Sequence, residues 1–364
     1  MIPDKLKQTD QNIIELLRDR LSLQATSELP SPEEQLAYIA PQLAQAGIPE
    51  CVWASIINSH AITTQSSKVN NVKPMQITII GGLGRMGRFF TQQLLAAGHN
   101  VSILENDDWQ YADQLLNQVD LVLISVPIER TVDVIKRAAK YLTPTTAICD
   151  ITSIKTQPVA AMLAHHPGPV IGLHPMFGPN IKSFNQQKVV VCPGRENHYF
   201  QWFLDFIKSQ GGELIVCTPE EHDQMMVIIQ ATQHFSRFSL GVFLAQARVD
   251  IERSLSMSSP SYRQEIDIVK RLFAQNPNLC IDIMLATEER CQEIRFLAET
   301  YSRLATLVEK RDRAGLIQEF ETAQTFFTEE KTHLKRASQF GKNIPQAVSL
   351  GLYEQSLPTQ ATKI

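Results

Sequence analysis

The chain has 364 residues, 43% of them apolar and 20% charged, with a formal net charge of −4. That length and mixture suit a soluble protein of two or three domains, each able to bury its own core. The weak, interspersed charge lacks the basic footprint that nucleic-acid binding requires. The polar start MIPDKLKQTDQ and the lack of any run of about 18 apolar residues lead us to expect no membrane segment and a cytoplasmic location. The six cysteines (Cys51, Cys149, Cys192, Cys217, Cys280, Cys291) stand singly. No Cys-x-x-Cys pair and no histidine at ligand spacing accompanies them, so they are expected to be buried reduced thiols with no metal site.

In chain order, Ile13, Ile14, Leu17, Leu21 and Leu23 fall at helical spacing over residues 10 to 24, after Asp10 as a candidate cap. Further helical patterns around 32–45 and 48–58 supply partners, which makes a small helical unit over 1–62. The polar stretch TTQSSKVNNVKP, 63–74, reads as a linker. From Met75 the pattern alternates between strand and helix: QITIIGG, RMGRFFTQQLLAAG, HNVSILEN, DLVLISVP, ERTVDVIKRAAKYL and AICDITS. KVVVCPG and GELIVCT flank the helical HYFQWFLDFIKSQ and extend the same sheet to residue 217. Thr218-Pro219-Glu220-Glu221 is a capping box with proline at the first helical position, and a long helix is expected from there to about residue 250. Helical patterns continue through 218–340, with enough apolar faces to suggest a homodimer. The last stretch, 341–364, has no strong period and reads as a tail.

Gly82-Leu83-Gly84-Arg85-Met86-Gly87 directly follows a strand and opens a helix, the context in which Gly-x-Gly-x-x-Gly signifies dinucleotide binding. Gly82 permits the tight turn, Gly84 lets backbone approach a pyrophosphate, and Gly87 lets helix and strand pack closely. Glu105 ends the next strand 23 residues after Gly82, close to the spacing of about 20 at which an acidic side chain accepts the ribose hydroxyls. A carboxylate there repels a 2′-phosphate, which favours NAD over NADP. Ser125-Val126-Pro127 ends the following strand, at the carboxyl edge where open sheets bind ligands.

Beyond the cofactor motif, His174 sits in the turn-rich segment Gly172-Leu173-His174-Pro175-Met176-Phe177-Gly178-Pro179, just after an apolar strand. A lone histidine is usually structural, yet its neutral form suits a base near neutral pH. His165 and His166, beside a Pro-Gly turn, read as surface residues. Gln230, His234 and Arg237 share one face of the long helix. Arg263, Asp267 and Arg271 repeat every fourth residue, either as a solvent-facing ion-pair ladder or as arginine forks that grip carboxylates in a cleft.

ITIIGGLGRMG, DLVLISVPI, DITSIK, GLHPMFGP, EHD, QATQHF and SPSYRQEIDIVKRLFAQ, in that order from about Met75 to about residue 338, together resemble the prephenate dehydrogenase family. The closest resemblance is to its bifunctional bacterial members, which carry a chorismate mutase domain. The resemblance implies an α/β fold: a Rossmann-type doubly wound parallel sheet, then an all-helical C-terminal dimerisation domain, preceded by a small helical chorismate-mutase-like domain. It implies His174 as the base that takes the proton of the substrate's ring hydroxyl as hydride leaves for NAD. Ser153 would orient the histidine or the hydroxyl, Arg271 would hold a substrate carboxylate, and His234 and Arg263 would complete the substrate site. The substrate would be prephenate, with arogenate as the alternative. A non-catalytic NAD-binding regulatory protein is a more distant reading. Tyrosine is an expected feedback inhibitor.

The N-terminal unit departs from the family pattern. TDQNIIELLRDRLSLQ resembles the first mutase helix, with Arg20 at a substrate-binding position. Pro3 falls where the family has an upstream arginine, the lysine-bearing stretch after the helix is missing, and Glu34-Gln35 stand where an Arg-Glu pair would be. Chorismate carries two carboxylates and needs several cations to fold and hold it, so no mutase activity is expected.

Overall fold

A computed structural model describes residues 3–24, 30–54, 56–57 and 73–340. The expected tail over 341–364 lies outside the described residues, as does the expected linker except for Lys73 and Pro74.

Seven short, mostly apolar segments form one sheet: β1 (Gln76–Ile80), β2 (Asn100–Leu104), β3 (Leu121–Ile124), β4 (Ala147–Asp150), β5 (Val170–Pro175), β6 (Lys188–Arg195) and β7 (Glu213–Val216). Their order is β2-β1-β3-β4-β5-β6-β7. All neighbours run parallel except β5 and β6, which pair antiparallel. The sheet is thus mostly parallel, the doubly wound form expected, with one antiparallel pair. The reason is local: β5 returns to β6 through the loop 176–187, with no helix to carry the chain back to the opposite edge.

β3, β4 and β5 are buried at every residue, as strands covered on both faces must be. One face packs under Phe89, Phe90, Phe184, Phe200 and Phe203, and the other under Leu104, Leu116, Ile135 and Met162. Phe89, on the helix Arg85–Ala96, meets Phe177 at 5.5 Å and Phe184 at 5.0 Å, both edge-on. These two contacts pin the loop that follows His174 to the helix that follows the glycine turn. The chain leaves β1 for β2 on one side and crosses to β3 on the other, so the crevice between the carboxyl ends of β1 and β3 is the switch point where such sheets bind ligands.

The long helix expected after Thr218 is interrupted. It runs as Pro219–Met226, passes through a π-helical turn at Val227–Thr232, resumes as Gln233–Gln246, and ends at Arg248 with a positive φ. Thr218 caps its start by accepting from the Glu221 N–H at 3.1 Å. The helices Ile251–Ser256, Pro260–Phe273, Pro277–Leu285, Glu288–Glu309 and Arg313–Phe340 follow.

At the N-terminus the first helix starts at Asp4, so Asp10 lies inside it and caps nothing. The intervening DKLKQT holds good helix formers, and Lys7 pairs with Asp4 across the first turn at 2.9 Å. Ile14 and Leu16 on this helix stay more than 60% exposed. Two further expectations fail on burial. His166 is buried, with Nε2 bonded to the Thr146 carbonyl at 2.7 Å. The thiols are not all buried: Cys51 and Cys291 are exposed and Cys217 is half-buried.

A Cβ on Gly87 would lie 2.2 Å from the Gly81 carbonyl oxygen and 2.7 Å from Gly82 Cα, both backbone atoms that cannot swing aside. Gly87→Ala is expected to lower unfolding free energy by about 1–3 kcal/mol, the usual overpacking cost, measured by urea denaturation.

Candidate active site

The glycine turn follows β1 directly, and its last residues open the helix Arg85–Ala96. Gly84, the N-cap, has extended backbone and no side-chain cap, so the first-turn N–H groups are left for a ligand. Gly81 comes so near β3 that a Cβ there would lie 2.3 Å from the Ser125 carbonyl oxygen. The glycine turn, through Gly81, therefore abuts Ser125 and Val126 at the switch point, and Pro127 is the N-cap of the helix Ile128–Ala138. Glu105 follows β2 and its Oε1 accepts from the Leu83 N–H at 2.7 Å, which ties the acidic residue to the glycine turn itself. A cleft of about 470 Å³ continues outward, lined by Arg85, Arg88, Asn180 and, from just beyond the helix Pro260–Phe273, Ala274.

His174 lies within β5 rather than in a turn after it, and it is buried. Both ring nitrogens are engaged. Nδ1 meets His222 Nε2 at 2.7 Å, and Nε2 meets the side-chain amide nitrogen of Gln230 at 3.2 Å. His222 Nδ1 in turn lies 2.8 Å from Asp223 Oδ1. Asp223 also accepts from the backbone N–H groups of Lys155, at 2.7 Å to Oδ1, and of Thr156, at 2.9 Å to Oδ2. Burial alone would raise the Asp223 carboxyl, but the bonds from His222 and the two N–H groups outweigh it and hold the pKa at about 2.

A second layer of charge surrounds these rings. The Lys155 ammonium is fully buried between the Asp150 carboxylate and the Leu173 carbonyl. Arg290, also fully buried, pairs with no carboxylate among the described residues; it donates to the carbonyls of Ile283 and Ser153 at 2.8 Å each. Burial pushes the His174 pKa well below the ordinary 6.5, helped by His222, Lys155 and Arg290, so the ring is neutral. Burial lowers His222 and His234 as well.

Ser153 sits past the end of β4, whose Asp150 is in register with Gly172 of β5, so the loop that holds it lies beside His174. His234 joins through the π-helical turn: its Nδ1 donates to the Gln230 carbonyl at 2.8 Å, while the Gln230 side chain reaches His174. Such turns recur at functional sites because they widen the ladder and release a carbonyl. Arg263 and Arg271 are placed differently. Both are exposed, and neither pairs with Asp267: Arg271 Nε donates to the Asp267 backbone carbonyl, and Arg263 to Ser258. They line a separate groove of about 660 Å³ formed by their own helix, so the expected ion-pair ladder is absent. His222, Asp223, Lys155 and Arg290 carried no assigned role in the sequence reading. Only the EHD segment hinted at the first two.

Comparison with known proteins accounts for this arrangement. The family model described as the prephenate dehydrogenase nucleotide-binding domain matches residues 96–216, and its dimerization-domain counterpart matches 218–322. The T-protein of Haemophilus influenzae is 35% identical over 336 residues, 87% of this chain and 89% of that one. The chain belongs to the prephenate dehydrogenase family. Two solved structures share the fold. A prephenate dehydrogenase from Aquifex aeolicus, in complex with hydroxyphenyl propionate and NAD+, aligns with a TM-score of 0.56 and 17% identity over 71% of this chain and 99% of that one. The Synechocystis arogenate dehydrogenase aligns at 0.50 with 19% identity, over 71% of this chain and all of that one.

The three depressed histidines make a pH prediction with a definite sign. Unfolded, each would take up a proton near its ordinary 6.5; folded, each resists it. The unfolded state then binds more protons, so stability is present above that pH and is lost as pH falls below it. Urea midpoints at about pH 7.5 and about pH 5.5 are expected to differ, the acid one being lower.

Proposed function

We propose that this chain is an NAD-dependent prephenate dehydrogenase, oxidising prephenate to 4-hydroxyphenylpyruvate with loss of carbon dioxide. The observation that carries the reading is a neutral, buried His174 whose Nε2 faces only a side-chain amide, at the carboxyl edge of a sheet with a dinucleotide turn. The uncapped helix start beyond Gly84 and the Glu105 carboxylate beside Leu83 fit NAD, because they offer N–H groups to a pyrophosphate and an acceptor to ribose hydroxyls. When bound, NAD accepts the hydride from the hydroxyl-bearing ring carbon. His174 Nε2 takes the hydroxyl proton as a carbonyl forms there, and the electrons of the breaking carbon–carboxylate bond then complete the aromatic ring. Ser153 and His234 orient the hydroxyl. Arg271, with Arg263, holds a substrate carboxylate, since its helix ends at the residue before Ala274, which lines the cleft that also contains Arg85.

The alternative substrate is arogenate, which differs by an amino group far from the reacting carbon. In this reading the chain divides into a degenerate mutase-like unit (1–62), a linker (63–74), the NAD-binding domain (75–217), the helical substrate and dimerisation domain (218–340) and a tail (341–364). The protein is a cytoplasmic homodimer. Exposed Phe296, Val308, Phe320, Phe326 and Phe327 on the last two helices support the dimer. No described helix is long and apolar enough to cross a membrane. Tyrosine, a product analogue, would compete for the same pocket.

NAD reduction by the purified chain is expected with prephenate, more weakly with arogenate, and with little use of NADP. His174→Asn should lower kcat by about 10²–10⁴-fold, as expected for a lost general base. Near-normal turnover by that variant would rule out His174 as the base.

Mutase activity is absent in this reading. Arg20, the one cation retained, spends a hydrogen bond on Gln35 at 3.1 Å, and Glu34 caps its own helix through Ser31. Chorismate supplied without a separate mutase should remain unconsumed; its disappearance in an absorbance assay would refute the reading.

A further inference from the structure

Donor and acceptor matching leaves one consistent way to place the protons around His174. The Gln230 side-chain amide lies 3.2 Å from His174 Nε2, and the Asp223 carboxylate at the other end of the chain can only accept, which fixes the direction of every ring proton between. The proton of the neutral ring is then on Nδ1 and is donated to His222 Nε2 at 2.7 Å. His222, accepting at Nε2, carries its own proton on Nδ1 and donates it to Asp223 at 2.8 Å. The chain ends on a carboxylate that two further N–H groups keep ionised.

We infer that His222 and Asp223 are positioning residues for the reaction: Asp223, acting through His222, sets the tautomer of His174 so that Nε2 is the nitrogen offered to the substrate hydroxyl. This rests on the reading of His174 as the base. Without the relay the imidazole is free to carry its proton on Nε2, where it opposes the hydroxyl with a donor and cannot accept from it. A buried ring cannot escape by re-solvating. The relay also spreads the positive charge that His174 gains when it takes the proton, because His222 passes the Asp223 carboxylate's attraction on to it.

The relay does not need to change protonation to work. The other charged and titratable groups near it are Lys155 and Arg290, which disfavour imidazolium, Asp150, which is paired with Lys155, and His234 on the helix after the π turn. Asp223 is therefore the anion that answers the proton taken up at His174. Its position is built into the fold, since the same carboxylate receives the first N–H of the helix Thr156–His165.

The test uses the full chain as wild type, His222→Phe, His222→Gln and Asp223→Asn. Circular dichroism and NADH fluorescence titration establish that each variant is folded and binds cofactor. His222→Phe removes the acceptor for His174 Nδ1; kcat is expected to fall about 10²–10⁴-fold with KM for the substrate changed less than about threefold. His222→Gln restores an acceptor at the same point and should recover at least about tenfold of that loss. Asp223→Asn keeps an oxygen toward His222 and the Lys155 N–H but removes the anion, so it should lower kcat by less than His222→Phe does.

Nitrogen-15 histidine spectra of the substrate-free protein, assigned with His174→Asn, give the second readout. The wild type should show the His174 proton on Nδ1, and His222→Phe should shift it toward Nε2. A His174 proton on Nε2 in the wild type, or a His222→Phe enzyme with kcat within about threefold of normal, overturns the inference. Should the wild type turn over neither prephenate nor arogenate, the functional reading fails, while the spectra still decide whether the relay sets the tautomer. If His222→Phe does not fold, the wild-type spectrum and His222→Gln carry the same decision.

Discussion

The Asp223 carboxylate is the point at which the helical part of the chain is fastened to the sheet. It receives the N–H groups of Lys155 and Thr156, at the start of the helix after β4, and the ring N–H of its own neighbour His222. A carboxylate at a helix start gains both hydrogen bonds and the favourable field of the aligned peptides. Here the same atoms also set the position of His222, and through it the orientation of a histidine on the neighbouring strand. Loss of this anchor would leave two N–H groups at the helix start and the His222 ring without their acceptor.

Burial of charge is the second constraint. Lys155 and Arg290 are completely enclosed, an arrangement that a protein tolerates only when polar partners surround the ions. Lys155 has a carboxylate and a carbonyl; Arg290 has two carbonyls, one of them from Ser153. Burial lowers the pKa of all three histidines, and the nearby cations add to it at His174 and His222, which favours the neutral state a base requires. Arg290 also spans from the helix Glu288–Glu309 to the end of β4, so the electrostatic setting and the joining of the two regions are one contact.

Legibility in the sequence followed the range of the interactions. The glycine turn, the strand that precedes it, the helix it opens and Glu105 lie within 30 residues, and their spacing encodes their geometry directly. The alternation of apolar strands with amphipathic helices likewise located six of the seven strands, but ended the fifth before His174, which it contains. Failures arose where tertiary contacts outweighed local pattern. His166, beside a Pro-Gly turn, reads as a surface residue until the Thr146 carbonyl, 20 residues away, accounts for its burial. The π-helical turn, which packs against the helices Pro277–Leu285 and Glu288–Glu309, has no residue signature in the chain. Spacing at every fourth residue suggested an ion-pair ladder for Arg263, Asp267 and Arg271, yet the arginines donate to backbone carbonyl and serine oxygens instead.

The sequence by itself determined the class of fold, the dinucleotide turn and the identity of His174 as the histidine to examine, because each depends on residues close along the chain or on a series of motifs in fixed order. It left His174 as one ring without partners. Only the tertiary structure decided those partners: His222 is 48 residues away, Gln230 is 56 away, and Lys155 meets Asp223 across 68. It also decided the antiparallel pairing of β6, the burial of Lys155 and Arg290, and the exposure of Arg263 and Arg271. The physical reason is the same throughout: spacing along a chain encodes hydrogen bonds within a turn or a helix, whereas desolvation and proton placement depend on every group that surrounds a site, whatever its distance in sequence.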